Sequence, residues 1–539
     1  MENITMKYMP EINYNSDEKI WSGVEPPAYF AEDLSIGEVI FHEMQRHPKL
    51  IAQISASENT VLTREELFSN SMRVASYLRN LKLEQSDIIG LIARNTTHIF
   101  AVAYGCFFNA MAFHSLNINF EQEKIEHLFN VTKPKIIFCD GDEYEKVKAA
   151  TKQLNVRIVT MKNHKDGAIT IEEVLATPVS PFFQPARPQL GSKQNLVILC
   201  SSGTTGTPKA VTLPNNPADT KMFPFVTSAD VLYVPSTLDW VTGLIVTVAS
   251  GIRSATRIIC DKPFDPSDLL RLIKKYKVTF LMQAPPHMAQ MLNCPEFNED
   301  HLSSLLYCIY TGAGCSLEVQ QSFRSKLAPK SLFAFGYSFT ELCGIGSINL
   351  HFDQKPGSVG RLAGGYKLKI VNDQREALGP NQIGEINLYT GKYWAGYYGN
   401  PEETRKLRDS DLWYHSGDLG YVDDDGFLYI VDRKKDMLKY SGLMYYPHEI
   451  EKVISQMPQV AEVCVFGVVI QNEDAAAAAV VRKRGAKLEA QDVIEYVAKH
   501  VQAKHKHLHG GVFVIDDLKR TNNGKTDRRA TKTYCLKVA

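Results

Sequence analysis

The chain has no surplus charge of either sign: 60 Lys and Arg face 60 Asp and Glu. That balance provides no global field for an acidic polymer, so neither nucleic acid nor an anionic membrane is expected as a partner. Long apolar runs are missing too. Stretches such as Val241 to Ile252 stop far short of the ~20 residues that span a bilayer, and no transmembrane segment is expected. The ten cysteines form no Cys-x-x-Cys pair and no Cys/His cluster at metal-ligand spacing, which favours reduced, mostly buried thiols. Met1-Glu2-Asn3-Ile4 lacks the basic-then-apolar order of a secretory signal, and Lys537-Val538-Ala539 is not a Ser-Lys-Leu type peroxisomal address. The cytoplasm is the expected location. There are no internal repeats, and Ala475 to Ala479 is only a short alanine run.

What is present is a chain of 539 residues, 44% hydrophobic and 22% charged, long enough for two to four globular units. Thr63-Arg64-Glu65-Glu66 reads as a capping box that opens a helix carrying Leu67, Val74 and Leu78 on one face. Ile125, Leu128 and Phe129 mark another helix face. Asp87 to Ile92, Lys135 to Cys139 and Asn195 to Cys200 read as buried strands. Strands alternating with helices imply parallel sheet covered by helices. Residues 178–192, rich in Pro, Gly and Ser, have the composition of a linker. From about 360 to 431 short alternating segments, such as Tyr366 to Val371 and Gly384 to Tyr389, favour a small antiparallel β unit. Mixed helix and strand return after Asp432.

The strongest local signal is Ser201-Ser202-Gly203-Thr204-Thr205-Gly206-Thr207-Pro208-Lys209, directly after a strand. Its glycines let backbone amides approach an anion, its hydroxyls add donors, and Lys209 adds a mobile positive charge. The combination suits a polyphosphate. It is not a Walker A loop, because no Gly-Lys-Ser/Thr occurs. A flexible polar turn is the alternative.

Ser201 to Lys209 resembles the phosphate loop of the adenylate-forming superfamily, which includes acyl-CoA synthetases, aryl-CoA ligases and beetle luciferases. Further motifs follow in the family's order. Gly336-Tyr337-Ser338-Phe339-Thr340-Glu341 resembles its Tyr-Gly-x-Thr-Glu segment. Tyr414-His415-Ser416-Gly417-Asp418 resembles its Ser/Thr-Gly-Asp, and Asp432-Arg433-Lys434-Lys435-Asp436 its hinge. Lys439-Tyr440-Ser441-Gly442 resembles the segment after the hinge, and Asn523-Gly524-Lys525 the closing Gly-Lys motif. The likeness covers nearly the whole chain and is closest to the luciferase and fatty-acyl-CoA synthetase branch.

The resemblance implies a large N-terminal domain of two α/β subdomains plus a small β-barrel over 1–431, a hinge at 432–436, and a mobile C-terminal α+β domain over 437–539. It implies ATP, Mg²⁺ and coenzyme A as cofactor and co-substrates, with a small-molecule carboxylic acid as partner. Glu341 with Thr340 would offer Mg²⁺ an oxygen ligand and a hydroxyl. Gly336 and Tyr337 would bound the adenine, on which Tyr337 could stack. Asp418 would accept the ribose hydroxyls, an Asx turn being the alternative. Arg433 would hold ribose or phosphate, or stand solvated. Lys525 would bridge carboxylate and α-phosphate during adenylation. Lys435 would be the pivot that brings Lys439 in for thioester formation.

Three features depart from the family pattern. Ser338 stands for the usual glycine, beside the expected nucleotide. Pro235-Ser236-Thr237-Leu238-Asp239-Trp240 carries no histidine where relatives have one or two. The stretch from Lys209 to Pro235 is short, with Asn215-Asn216-Pro217 where a helix normally starts. Lys504 to His509, with three histidines and two lysines, reads as a solvated basic face rather than a site for coenzyme A phosphates. The expected activity is a fatty-acyl-CoA ligase. A luciferase-like or aryl-acid enzyme, or a catalytically silent nucleotide- or acyl-binding paralogue, is the alternative. A peroxisomal location is what the resemblance sets against the cytoplasm.

Overall fold

The computed structural model describes residues 11–25, 30–31, 34–201, 208–215, 223–470, 473–521 and 526–538. Its layering follows from the helix Ile99–Phe108, all of whose residues are buried. A helix without a polar face has to be enclosed on every side. The helices Ile36–Arg46 and Arg64–Asn80 pack against it. At Gly105 the approach is so close that a Cβ would lie 2.7 Å from Val74. The Tyr104 hydroxyl donates to the Thr247 carbonyl at 2.8 Å, joining this helix to Val241–Arg253.

Two large sheets flank this helical layer. One has nine strands, running in space from Arg361–Leu362 through Ser347–Asn349, Leu332–Tyr337, Tyr307–Thr311, Phe280–Gln283, Val231–Tyr233, Thr256–Ile259 and Ile51–Ser55 to Thr60–Thr63. Its centre is parallel and its edges antiparallel. The other has seven strands, from Lys209–Pro214 and Asn195–Ser201 through Phe113–Ser115, Ile89–Ile92, Ile136–Cys139 and Arg157–Thr160 to Ile169–Thr170. The helix-covered parallel sheets expected from the alternating pattern are present. The capping box forms as read: Glu66 N donates to Thr63 Oγ1 at 3.2 Å, and Thr63 N to Glu66 Oε2 at 2.8 Å. Between Leu175 and Asn195 the chain is irregular apart from one 3-10 turn, and Arg79 and Gln85 hold the carbonyls of Gln184 and Arg187.

The small β unit is an antiparallel sheet of seven strands in which Lys367–Val371, Gly384–Tyr389, Tyr414–Val422 and Leu428–Arg433 are joined by Ile12–Asn15 and Ile20–Gly23 from the other end of the sequence. Among the described residues no ladder joins the two outer strands to each other, and an isolated bridge links Leu428 of the last strand to Gly360. Beyond it lies a small α+β domain. The strands Val460–Ile470, Glu473–Arg482 and Val512–Ile515 pair, and the helices Pro447–Ile454, Ala490–His500 and Arg528–Val538 accompany them. The alanine run occupies the middle strand. Ala475 to Ala479 are all fully buried, Ala476 and Ala478 against Ile450 and Val493, Ala477 and Ala479 against Phe466 and Cys535. Small side chains let helices approach both faces, which outweighs alanine's weak preference for strands. Among the described residues no helix is long and apolar enough to cross a membrane.

Thr63→Ala removes the cap of the helix Arg64–Asn80. It should lower unfolding stability by about 1 kcal/mol, read by denaturant titration, while Thr63→Ser retains most of it.

Candidate active site

In open α/β sheets, ligands bind off the carboxyl ends of the parallel strands. Ser201 ends one such strand. It pairs across the ladder with Lys209, the first residue of the next strand, so Lys209 stands at the foot of residues 202–207. Those residues, including Ser202, Gly203, Thr204, Thr205 and Gly206, lie outside the described residues.

The Lys209 ammonium is paired with the Glu403 carboxylate and sits 4.9 Å from the centroid of the Tyr397 ring. The Tyr397 hydroxyl donates to Glu341 Oε1 at 2.6 Å. Two carboxylates therefore flank one lysine and are pushed in opposite directions. Hydrogen bonds from Lys209 and then Lys406 hold Glu403 down at about 2. Burial holds Glu341 above the ordinary carboxylate range, against the pull of Tyr397 and Lys209. A cleft of about 310 Å³ opens beside the pair, with Lys209 and Glu403 on one wall and His127 on another.

Sequence reading missed Tyr397 and Glu403, and both are placed by local rules. Asn400 caps the helix Pro401–Leu407, accepting from Glu403 N at 3.2 Å, with Pro401 at the first helical position. An Asn-Pro step ahead of acidic residues is a readable helix start. Tyr397 bridges Val211, and Trp394 Nε1 donates to the Thr212 carbonyl at 2.9 Å, clasping this segment to the strand that Lys209 opens.

The second cluster centres on Asp418, which is 7% exposed. Tyr337 donates its hydroxyl to Asp418 Oδ2 at 2.7 Å, and Arg433 Nε donates to Oδ1 at 3.1 Å. Asp418 and Arg433 are cross-strand partners, while Tyr337 ends the strand Leu332–Tyr337. The carboxylate thus accepts from two groups that are distant in sequence. Each carboxylate oxygen accepts one protein donor and retains a further lone-pair site. Burial, then the Asp418 charge, keeps the Tyr337 phenol protonated.

Thr340 begins the 3-10 turn Thr340–Leu342 that buries Glu341. Gly336 lies within the strand, where an added Cβ would meet ordinary contacts from 3.6 Å, so packing alone does not demand glycine. Ser338 turns its hydroxyl into its own loop, donating to the Gly344 carbonyl. In the segment Pro235 to Trp240, Asp239 is buried. Thr237 donates to its Oδ1, and Asn117 Nδ2 donates to its Oδ2 at 2.8 Å. Burial raises the Asp239 carboxyl. Asn215 is also buried, its Oδ1 accepting from Ile36 N at 2.9 Å. Residues 216–222, part of the shortened stretch, lie outside the described residues.

On either side of Lys435 the chain is tied down. Lys434 pairs with Asp373 and Glu385 of the β unit at 3.0 and 3.3 Å, and Arg528 holds Asp436 at 2.8 Å and Glu451 at 2.9 Å. Lys435 keeps enough surface to class as exposed, although its ammonium is partly withdrawn from water. Burial, with the charge of Arg433, lowers its ammonium. Lys439 projects from the hairpin Leu438–Tyr440 and Leu443–Tyr445, exposed and apart from the Asp418 and Glu341 clusters among the described residues. Both turn residues, Ser441 and Gly442, have positive φ, and the Glu473 carboxylate accepts from their amides. Lys525 lies outside the described residues. Arg520 and Thr526, on either side of it, form an isolated bridge. The Arg520 charge adds to burial in holding His287 of the N-terminal domain down at about 4. In the basic run Lys504 to His509, Lys504 and His509 are exposed and His505, Lys506 and His507 are part-buried, with several side chains held by neighbours. His509 stacks on Tyr440 at 4.9 Å, His507 contacts the Val501 carbonyl at 2.8 Å, and Lys506 pairs with Glu449 at 2.7 Å.

A sequence profile of the AMP-binding enzyme family matches residues 40–398, and one for the AMP-binding enzyme C-terminal domain matches residues 449–525. The chain is 28% identical to luciferin 4-monooxygenase of Photinus pyralis, covering 95% of this chain and 96% of that protein. It is 26% identical to 4-coumarate–CoA ligase 3 of Oryza sativa, covering 94% and 93%. The crystal structure of ATP-bound MatB from Rhodopseudomonas palustris shares the fold, with a TM-score of 0.83 at 23% identity over 93% of this chain and 99% of that one.

Glu403 has its carboxyl below the unfolded value, so the stability it contributes is complete above about pH 4.5 and is lost as pH falls toward about 2. Thermal melts across that range should show Glu403→Gln less stable than the parent at pH 6, with the difference gone near pH 2.

Proposed function

The chain belongs to the AMP-binding enzyme family, and from that premise we propose that it is an ATP-dependent carboxylate–CoA ligase, with a fatty acid as the preferred substrate. In the first step a carboxylate oxygen attacks the α-phosphorus of ATP, forming acyl-adenylate and releasing pyrophosphate. In the second the coenzyme A sulfur attacks the acyl carbon, its proton goes to solvent, and AMP leaves.

The observation that carries this reading is the sharing of Asp418 between Tyr337 and Arg433. A carboxylate fixed by two donors, with lone pairs to spare, is oriented to accept ribose hydroxyls, and Arg433 adds a guanidinium beside it. On this reading the edge of Tyr337 is committed to Asp418, leaving its ring face and Gly336 to bound the adenine. Ser201, Lys209 and the glycine-rich residues between them receive the phosphates. Glu341, with Thr340 beside it, fits a single protein ligand for Mg²⁺: burial raises its carboxyl, and a divalent cation would restore its charge. The ion would supply charge neutralisation on the phosphates. Lys209 has to exchange Glu403 for a phosphate oxygen, so Glu403 holds the lysine in place until the phosphates arrive.

Lys525 and Lys439 serve different steps. Lys525 meets carboxylate and α-phosphate in adenylation, and Lys439 enters for thioester formation after rotation at Lys435. The flanking ties to the β unit and to Arg528 support Lys435 as the residue between two anchored bodies. The domain limits that follow are 1–431 and 437–539, with the hinge at 432–436.

Acid-dependent ATP–pyrophosphate exchange, screened over fatty, aryl and short-chain acids, tests the activity and names the acid. Exchange with aryl acids alone would replace the fatty-acid assignment, and none with any acid would leave a silent paralogue. Asp418→Ala should weaken ATP binding by roughly 30-fold, about 2 kcal/mol, in titration calorimetry.

Lys525→Ala should slow adenylation by roughly 10²–10³ while thioester formation from supplied acyl-adenylate is much less affected. Lys435→Pro should spare adenylation and impair the thioester step. Parallel loss of both steps in both variants would overturn the alternation.

A further inference from the structure

Away from the nucleotide cluster, two arginines are buried without an acid. Arg64 opens the helix Arg64–Asn80 and Arg257 lies in the strand Thr256–Ile259; they are 1% and 2% exposed. Each guanidinium carries five N–H donors. Arg64 Nη2 donates to the Gly251 carbonyl at 3.3 Å and Arg257 Nη1 to Ser250 Oγ at 3.0 Å; Arg257 also interacts with the neutral Tyr104 hydroxyl, while Nε of both is buried with no acceptor. The Phe100 ring, 3.4 Å from the Arg257 guanidinium carbon, offsets part of one charge. Among the described residues no carboxylate pairs with either arginine. Glu43, whose charge bears on Arg64, is bonded to Arg46 at 3.1 Å.

Between them lies a cavity of about 10 Å³, walled by Arg64, Arg257, Tyr104, Ser250, Met44 and Leu67. That is room for about one water-sized species. Two guanidiniums in such surroundings require a negative charge, because an unpaired buried ion is strongly destabilising. A water there would accept hydrogen bonds and leave both charges standing. Carboxylates, phosphate and sulfate are too large. We propose that this cavity binds a single chloride ion held by Arg64 and Arg257. The ion joins a helix of the layer between the sheets to a strand of the nine-stranded sheet, in a cavity that shares no lining residue with the Lys209 or Asp418 clusters, and makes the fold's stability depend on halide.

The test substitutes bromide for chloride in crystals of the full chain and collects anomalous diffraction. An anomalous peak within hydrogen-bonding distance of both guanidiniums is expected; its absence, with a water or nothing between the arginines, overturns the proposal. In solution, after exhaustive exchange into sodium gluconate, Tm should rise with the logarithm of added chloride at constant ionic strength. An equal rise on adding gluconate would make the effect one of ionic strength and count against the site. Arg257→Met should abolish the chloride dependence. Should that variant not fold, the bromide peak in the unaltered protein still decides.

Discussion

A helix with no polar side imposes the architecture. Ile99–Phe108 gains stability only when other elements cover it on every side, and the surrounding helices each bring a sheet with them. The two sheets thus share a helical layer, and the active-site clusters assemble where their chains emerge. The clasp of Trp394 and Tyr397 onto the strand after Lys209, and the bond from Tyr337 to Asp418, are secondary ties that become feasible once the layers are stacked.

The electrostatics of the cluster depend on that stacking. Glu341 and Glu403 are the same chemistry in different surroundings, one raised by burial and the other lowered by two lysines. Tyr397 stands between them, its ring against Lys209 and its hydroxyl on Glu341. A single tyrosine therefore couples the groups proposed to meet phosphate and metal.

Much of this was legible in the sequence where the cause is local. The capping box at Thr63, the helix face of Ile125, Leu128 and Phe129, and the strand before Ser201 depend on neighbours a few residues away. Pairing across the chain left no such trace. Nothing near Ile12 announces that it joins a sheet made of residues beyond 360, and an alanine strand has the composition of a helix until both its faces are known to be covered. In the site, motif resemblance named Asp418, Tyr337 and Arg433 separately, but their mutual bonds arise from strand register and a long-range contact. Asp239 read as one acid in a segment notable for lacking histidine. Its burial against Asn117 joins positions far apart in the sequence.

The register of Ser201 against Lys209 has a consequence for how the glycine-rich segment can vary. Side chains in a ladder alternate between faces, so sliding one strand by a single residue sends each of its side chains to the opposite side. If the added length were absorbed by such a slip, one extra residue between Ser201 and Lys209 would turn the lysine away from Glu403 and Tyr397, and two would restore its direction. Under such a slip the lysine's direction depends on the parity of the change, whereas a residue taken up by the connecting segment or a bulge leaves it where it is.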